Sequence, residues 1–506
     1  MYAHWPAILC KRTHLDGHAI IPGMQTFFWH DYETSGADPW RDRPLQFAGI
    51  RTTMELEIVG EPVMFFGKPP RELPPAPEAC LITGIAPQQA ERDGVGEAEF
   101  AARVHEQLAA PGTCGVGYNS LRFDDEFTRQ MLYRNFHEPY GREWENGNSR
   151  WDLIDLVRMC AALRPEGIAW PTREDGTLSF RLEHLASANH LTQERAHDAL
   201  SDVHALIDLA RLIRVRQPRL WDWHYALRRK QKVFELLDVV NMTPVLHVSS
   251  RYPASRYCLA MVAPIAAHPT RPGEIIVYDL SGDPSLLLAL DEEEIADRMF
   301  TARADLPEGV ERIPLRTVRA NRSPALAPLS VLKGTDTARL QLDVERCLAN
   351  RDVLAAAAGL AEKLRRVFQR ASDLPPPADP ELAIYGGFLP DSDKRLLAEV
   401  RATPPEQLGT RDFPFRDPRY PELLFRYRAR NWPHTLTPEE HQRWDAFRRD
   451  RLFKSTPLTG LTLPDYFARL AQLRGELAQD PGKLALLDQL QAWGEELAAD
   501  LAPLPA

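Results

Sequence analysis

Four carboxylates and one histidine set the chemistry open to this chain. Asp31 and Glu33 stand in His30-Asp31-Tyr32-Glu33-Thr34, and Asp124 follows Leu121-Arg122-Phe123. His197 and Asp202 bound the run His197-Asp198-Ala199-Leu200-Ser201-Asp202. Carboxylate oxygens are hard ligands that suit Mg²⁺ or Mn²⁺. Two such ions side by side can clamp the attacking and leaving oxygens of a phosphodiester. A neutral imidazole beside them can take the proton from an attacking water.

Each piece also has a plain reading. Residues i and i+2 of a strand share a face, so Asp31 and Glu33 can reach one metal cluster. Short acidic pairs also occur at solvated strand ends. Asp124 follows a strand end and turn at 117–119, where a carboxylate can simply cap a helix. Asp125 and Glu126 compete with it, and spacing does not choose. His197 and Asp202 would lie ~140° apart on one helix. The histidine is therefore expected before the helix or in its first turn, with Asp202 projecting from it. Asp198 reads as a cap.

Elements able to position these groups follow from periodicity. Strands are predicted at 27–31, 47–50, 55–59 and 114–118. Helices are predicted near 97–109, 124–135, 152–163 and 198–216. Strands first, then helix and strand alternating, is an α/β domain with a mixed sheet. Gln217-Pro218 ends the long helix. Short apolar runs at 245–248, 258–262 and 275–278 predict a β-rich second domain. A helix over 353–369 leads to Pro375-Pro376-Pro377, a stiff connector. Leucines recurring over 465–500 predict a helical end. The expected limits are 1–24 for an N-terminal extension, then 25–216, 217–371 and 372–506. Met24 is the expected effective start, and residues 1–23 are expected to be a disordered tail or a mis-assigned start.

With 506 residues the chain exceeds one ordinary core. It is 44% apolar and 26% charged with net charge −10, so nucleic-acid binding would need a local basic groove. The six cysteines show no CxxC spacing and read as reduced thiols of a cytoplasmic protein. No apolar run reaches the ~18 residues that span a membrane, and the mixed start lacks a signal peptide's core.

The ordered set Asp-x-Glu, Asp, His-x4-Asp resembles the DEDDh exonucleases, which have an RNase H-like fold. Asp31, Glu33, Asp124, His197 and Asp202 fill its five positions. Residues 30–34, 43–48, 81–85, 117–119, 122–126, 133–136, 149–153, 162–168, 179–185, 216–220 and 424–431 narrow the resemblance to the bacterial exodeoxyribonuclease I family. The likeness is dense to residue 220 and thinner afterwards. The N-terminal extension and the stretch near 315–385 depart from it. The resemblance implies an RNase H-like exonuclease domain, an SH3-like domain and an all-helical C-terminal domain around single-stranded DNA. It further implies 3′→5′ release of 5′-mononucleotides, a role in DNA repair and recombination, two Mg²⁺ ions per site (or Mn²⁺), and a monomer. Asp31, Glu33, Asp124 and Asp202 would hold the metals, and His197 would act as base.

Arginine on phosphate with aromatics on bases is how single strands are held without sequence readout. By the same resemblance Glu33, Thr34, Arg129, Tyr140, Trp144, Arg158 and Arg181 are expected at the substrate, Arg181 foremost. Trp151 reads equally as core. The arginines at 426, 428, 430, 443, 448, 449 and 451 read as a solvated helix or as a channel wall. Arg164 matches a position implied to dock the acidic tail of single-stranded DNA-binding protein, while Trp223 stands where tyrosine is expected. Alternatives are a short-RNA exonuclease, a proofreading subunit, a binding protein without catalysis and a metal-stabilised scaffold, the last leaving His197 unexplained. Metal-dependent nucleotide release separates the enzymes from a protein that only retains strand.

Overall fold

The computed structural model describes residues 25–191, 199–302, 305–370 and 377–501. The N-terminal extension, His197, Asp198 and most of the proline connector lie outside the described residues.

The first sheet has the order β3-β2-β1-β4-β5. Its strands are β1 (Thr26–Thr34), β2 (Pro44–Thr52), β3 (Val63–Phe66), β4 (Thr113–Gly117) and β5 (Ser149–Asp152). β1 pairs antiparallel with β2 and parallel with β4, which is parallel to β5. β1 is apolar on both faces because both are covered. Phe27 and Trp29 join a core with Leu156, Leu206 and Ile213 from the helices Leu153–Leu163 and Ala199–Arg216. Phe28 and Tyr32 join Phe100, Val104 and Met131 from Glu97–Ala109 and Asp124–Arg134.

The strand expected at 55–59 is a loop instead. The Thr53 hydroxyl accepts from the backbone N–H groups of Glu55 and Glu57, and Leu56 takes φ 71°. This local alternative competes with a ladder, so only the Thr52–Ile58 bridge forms and the third strand is β3.

The second sheet is antiparallel, order β10-β6-β7-β8-β9. Its strands are β6 (Val245–Val248), β7 (Leu259–Ala267), β8 (Glu274–Asp279), β9 (Leu315–Arg319) and β10 (Ala325–Pro328). The helix expected at 353–369 is two helices, Val344–Ala356 and Leu360–Arg370, because Gly359 between them takes φ 78°. The helical run at 465–500 is likewise two, Leu463–Glu476 and Pro481–Ala499. Asp480 caps the second by accepting from Lys483 N–H, with Pro481 at its first turn.

A buried ion network joins the first domain to the C-terminal helices. Glu381 accepts from Arg43 and Arg426, each at 3.1 Å, and from Arg430. Arg134 binds Glu97 at 2.8 Å. Arg426, Arg428, Arg448 and Arg451 are all buried. The late arginine cluster is thus mostly inside the protein, neither a solvated helix nor an open wall.

Candidate active site

Parallel pairing of β1 with β4 ends at Trp29↔Val116. Asp31 and Glu33 continue β1 beyond it, at the carboxyl end of the parallel strands where α/β folds open their crevices. Alternation turns both toward the Ala199–Arg216 helix, whose first turn carries Asp202. One carboxylate oxygen from each of Asp31, Glu33 and Asp202 lies within 4.8 Å of the others.

Asp124 arrives from β4. The chain leaves Gly117, passes Asn119 at φ 64°, makes a short 3-10 turn and starts the Asp124–Arg134 helix. Asp152 stiffens this path: it accepts from Asn119 N–H at 2.8 Å and Leu121 N–H at 3.2 Å while capping the next helix. Sequence reasoning missed this role, though a short acid ahead of Leu153-Ile154 is a cap signal.

The three rival acids separate by partner. Asp125 is bound by Arg142 at 2.6 Å and Arg150 at 2.9 Å. Burial works to raise its carboxyl, but the two arginines outweigh that and hold it well below the usual range. Glu126 pairs with Arg129, Arg322 and the Tyr385 hydroxyl. Asp124 is buried, and its Oδ1 has no hydrogen-bond partner among the described residues.

Burial, then the neighbouring Asp31 carboxylate, holds Asp124 well above the usual carboxylate range. Burial, then Asp202, pushes Asp31 up to about 7. Acids packed against one another resist ionising together. An all-oxygen donor set with one orphaned buried oxygen fits a hard divalent cation. A structural acid such as Asp125 is instead neutralised by arginine.

Asp31 and Asp202 open on a cleft of about 520 Å³. Its walls include Asp31, Asn119 and Asp202, then Arg158, Arg173, Leu178, Phe180 and Arg181. Ser250, Tyr252, Ala254 and Cys258 come from the second sheet's domain. Arg173 and the 250–258 loop were not legible as site residues, since only tertiary packing brings them to β1.

The expected substrate residues fall in different places. The Arg181 side chain lines the cleft at 68% exposure, and Arg158 lines it while paired to Asp155 at 2.8 Å. Thr34 is buried, its hydroxyl donating to Gly36 O at 2.7 Å. Arg129 is buried in a two-pronged pair with Glu143 at 2.7 and 2.9 Å and lies over the Tyr140 ring. Trp144 is 66% exposed. Trp151 is core, its N–H donating to His224 Nδ1 at 2.8 Å. Arg164 donates to Thr335 Oγ1 at 2.6 Å and to the Val331 and Lys333 carbonyls; Trp223 donates to Leu326 O.

An acid cluster at the carboxyl ends of parallel strands, faced by an acid on a covering helix, defines an α/β nuclease. Residues 28–210 match the family model described as Exonuclease. Residues 228–370 match Exonuclease I SH3-like domain, and 378–497 match Exonuclease I C-terminal domain. The chain belongs to the exodeoxyribonuclease I family. It is 44% identical over 474 residues to exodeoxyribonuclease I of Escherichia coli, covering 94% of this chain and 98% of that one. The Haemophilus influenzae enzyme is 42% identical, with 93% and 98% covered. Exonuclease I from Methylocaldum szegediense superposes with TM-score 0.90 at 49% identity, covering 94% and 99%. E. coli exonuclease I in complex with a dA16 oligonucleotide gives 0.89 at 44%, covering 94% and 100%. The expected succession of exonuclease, SH3-like and helical C-terminal domains is borne out. Among the described residues no helix is long and apolar enough to cross a membrane.

Proposed function

We propose that this chain is a 3′→5′ exonuclease that hydrolyses single-stranded DNA to 5′-mononucleotides, serving DNA repair and recombination in the cytoplasm. The observation that carries the reading is the convergence of Asp31, Glu33 and Asp202 within 4.8 Å, beside a cleft that Asp31 and Asp202 line with arginine and aromatic side chains. The E. coli relative bound to dA16 supports the substrate.

Asp31, Glu33, Asp124 and Asp202 would hold two Mg²⁺ ions. When bound, these supply the Lewis acidity that stabilises charge building on the phosphoryl and leaving 3′ oxygens. Asp31, whose carboxylate interacts with both Asp202 and Asp124, would be a member of that set shared between them. His197 takes the proton of the attacking water. Arg181 and Arg158 orient the strand through its phosphates, while Phe180, Leu178 and Tyr252 offer apolar surface to the terminal nucleotide and exclude bulk water.

The test is digestion of 3′- and 5′-labelled single strands, with duplex DNA and RNA as controls, in Mg²⁺ or EDTA. Metal-dependent mononucleotide release from 3′ ends, lost in Asp31→Ala, is expected. Strand binding without cleavage in any metal would overturn it; RNA digestion with DNA intact would select an RNA-trimming activity.

The partner reading extends this proposal: the chain acts as a monomer, with Arg164 at a dock for the acidic tail of single-stranded DNA-binding protein. It rests on the family resemblance. An unchanged affinity for that tail peptide in Arg164→Ala would refute the assignment.

A further inference from the structure

The three acids that open the Asp124–Arg134 helix each face a different part of the molecule. Asp124 lies against Asp31, and Asp125 takes Arg142 and Arg150 of its own domain. Glu126 is where all three domains meet. It accepts from Arg129 of the first domain at 3.0 Å, from Arg322 of the SH3-like domain, and from the Tyr385 hydroxyl of the C-terminal domain. The other arm of the Arg322 guanidinium donates to Leu121 O at 3.0 Å, on the 3-10 turn that leads to Asp124. Arg322 lies on the turn between β9 and β10, and that turn is itself pinned. Trp151 N–H donates to His224 Nδ1 at 2.8 Å, so His224 Nε2 carries the ring hydrogen and donates to Ser323 O at 3.1 Å. The Tyr385 ring packs 5.5 Å from the ring of Trp40, which follows β1, and 6.4 Å from that of Tyr140.

The start of this helix needs such holding. Its N-cap residue is Phe123, at φ −126° and ψ −80°, and among the described residues no side chain caps it. An uncapped first turn leaves backbone N–H groups without partners and frays. Asp124 also faces Asp31, and two carboxylates that close repel when both ionise. Metal ligands are aimed by the groups behind them, so a shifted turn costs metal affinity. Arg322 spans Asp124 from Leu121 on one side to Glu126 on the other, which fixes the turn to the helix across the ligand.

We propose that Arg322 and Tyr385, acting through Glu126, are positioning residues for Asp124: the SH3-like and C-terminal domains each supply one side chain that holds this ligand's turn in place. Neither side chain touches metal or DNA in this role. Metal binding by carboxylates of the first domain thereby depends on the docking of the other two. The inference rests on the metal-dependent nuclease reading of the carboxylate cluster.

The test uses the full chain with R322Q, R322K, E126Q, Y385F and the R322Q/E126Q double variant. Mg²⁺ affinity is read by titration calorimetry without DNA, kcat and KM on oligo-dT, and the urea midpoint in EDTA. R322Q and E126Q should each weaken Mg²⁺ binding and slow turnover by about tenfold, the lower end for partners behind metal ligands, with KM unchanged. R322K should recover most of the loss and Y385F should lose less. The double variant should lose no more than either single one, because both act through one contact. A lowered midpoint with Mg²⁺ affinity and kcat intact would make the contact merely structural and overturn the proposal. A raised KM with Mg²⁺ affinity intact would make Arg322 a strand contact and overturn it too. Arg322 and Tyr385 are partly exposed, so R322Q and Y385F decide the question even where E126Q fails to fold. A wild type that binds no Mg²⁺, or releases no nucleotide, overturns the positioning and the nuclease reading together.

Discussion

The Arg430 guanidinium donates to Glu72 Oε1 at 2.6 Å, joining residues 358 positions apart, one in the first domain and one in the C-terminal helices. The same guanidinium reaches Glu381, which is fully buried and also takes Arg43 and Arg426. Removing one partner of a buried pair leaves a charge without compensation. Glu381→Gln should therefore destabilise the chain by ~3–5 kcal/mol, read as a lower urea midpoint. An isolated exonuclease domain should be insoluble or unfolded for the same reason, since Arg43 and Glu72 would lose their partners.

The network also sets the acid limit. Burial works to raise Glu97, but Arg134 and Arg43 outweigh it and bring its carboxyl down to about 2 from an ordinary 4.5. Glu72 is lowered in the same way by Arg430 and Arg451 against its burial. A depressed carboxylate contributes stability that is complete above its unfolded pKa and is lost as pH falls through the folded one. The network's contribution, read as the difference in urea midpoint between wild type and Glu97→Gln, should stay level from neutrality to about pH 5 and fall between about 4.5 and 2. Glu97→Gln should be less stable at pH 7 and show a shallower fall, which a pH series of unfolding curves checks.

The strand pair β1–β2 gives a packing test. A Cβ on Gly49 would sit 2.3 Å from Phe28 Cζ inside a fully covered core. The ring is held by Phe47 and Arg51 and has little room to move. Gly49→Ala should cost ~1–3 kcal/mol by overpacking. A urea midpoint equal to wild type would refute it.

What could be read from the sequence were features within one element. Asp31 and Glu33 share a face because strands alternate, and Phe100, Val104 and Leu108 mark the helix at Glu97–Ala109 by spacing alone. Pairings between distant segments were not legible. Nothing in the 426–451 run says that its arginines face Glu72 and Glu381 rather than water or DNA. The choice among Asp124, Asp125 and Glu126 had the same limit, because Arg142 and Arg150 reach Asp125, and Arg322 reaches Glu126, only after folding. The 55–59 alternation misled because Thr53 closes a local loop whose one buried residue, Leu56, mimics a strand face.

Arg129 and Arg181 should behave oppositely although both were expected at the substrate. Arg129 is spent on Glu143 and Glu126 inside the first domain. Its Ala variant should lower the unfolding midpoint, by ~3 kcal/mol or more for a buried pair. Arg181 is exposed on the cleft wall with Glu183 only at 3.8 Å. Arg181→Ala should leave the midpoint within ~0.5 kcal/mol while raising KM for single strands. Paired unfolding and kinetic measurements on both variants decide it.

The carboxylate cluster makes the sharpest separation of stability from function. In chelator, Asp31 is pressed against Asp202 and Asp124, so Asp31→Asn removes repulsion as well as a proposed ligand. The variant should be at least as stable as wild type in EDTA, yet slower by roughly 10²-fold or more in nucleotide release. Mg²⁺ at about a hundred times its Kd should stabilise wild type by about 2.7 kcal/mol, because the proposed site exists only in the folded chain. The Asn variant should gain much less, since that proposed ligand is neutral. A structural acid would show the reverse: loss of stability in EDTA and no difference in the response to Mg²⁺. Unfolding curves of both proteins with and without Mg²⁺ therefore tell a metal-holding Asp31 from a merely buried one, independently of any activity assay.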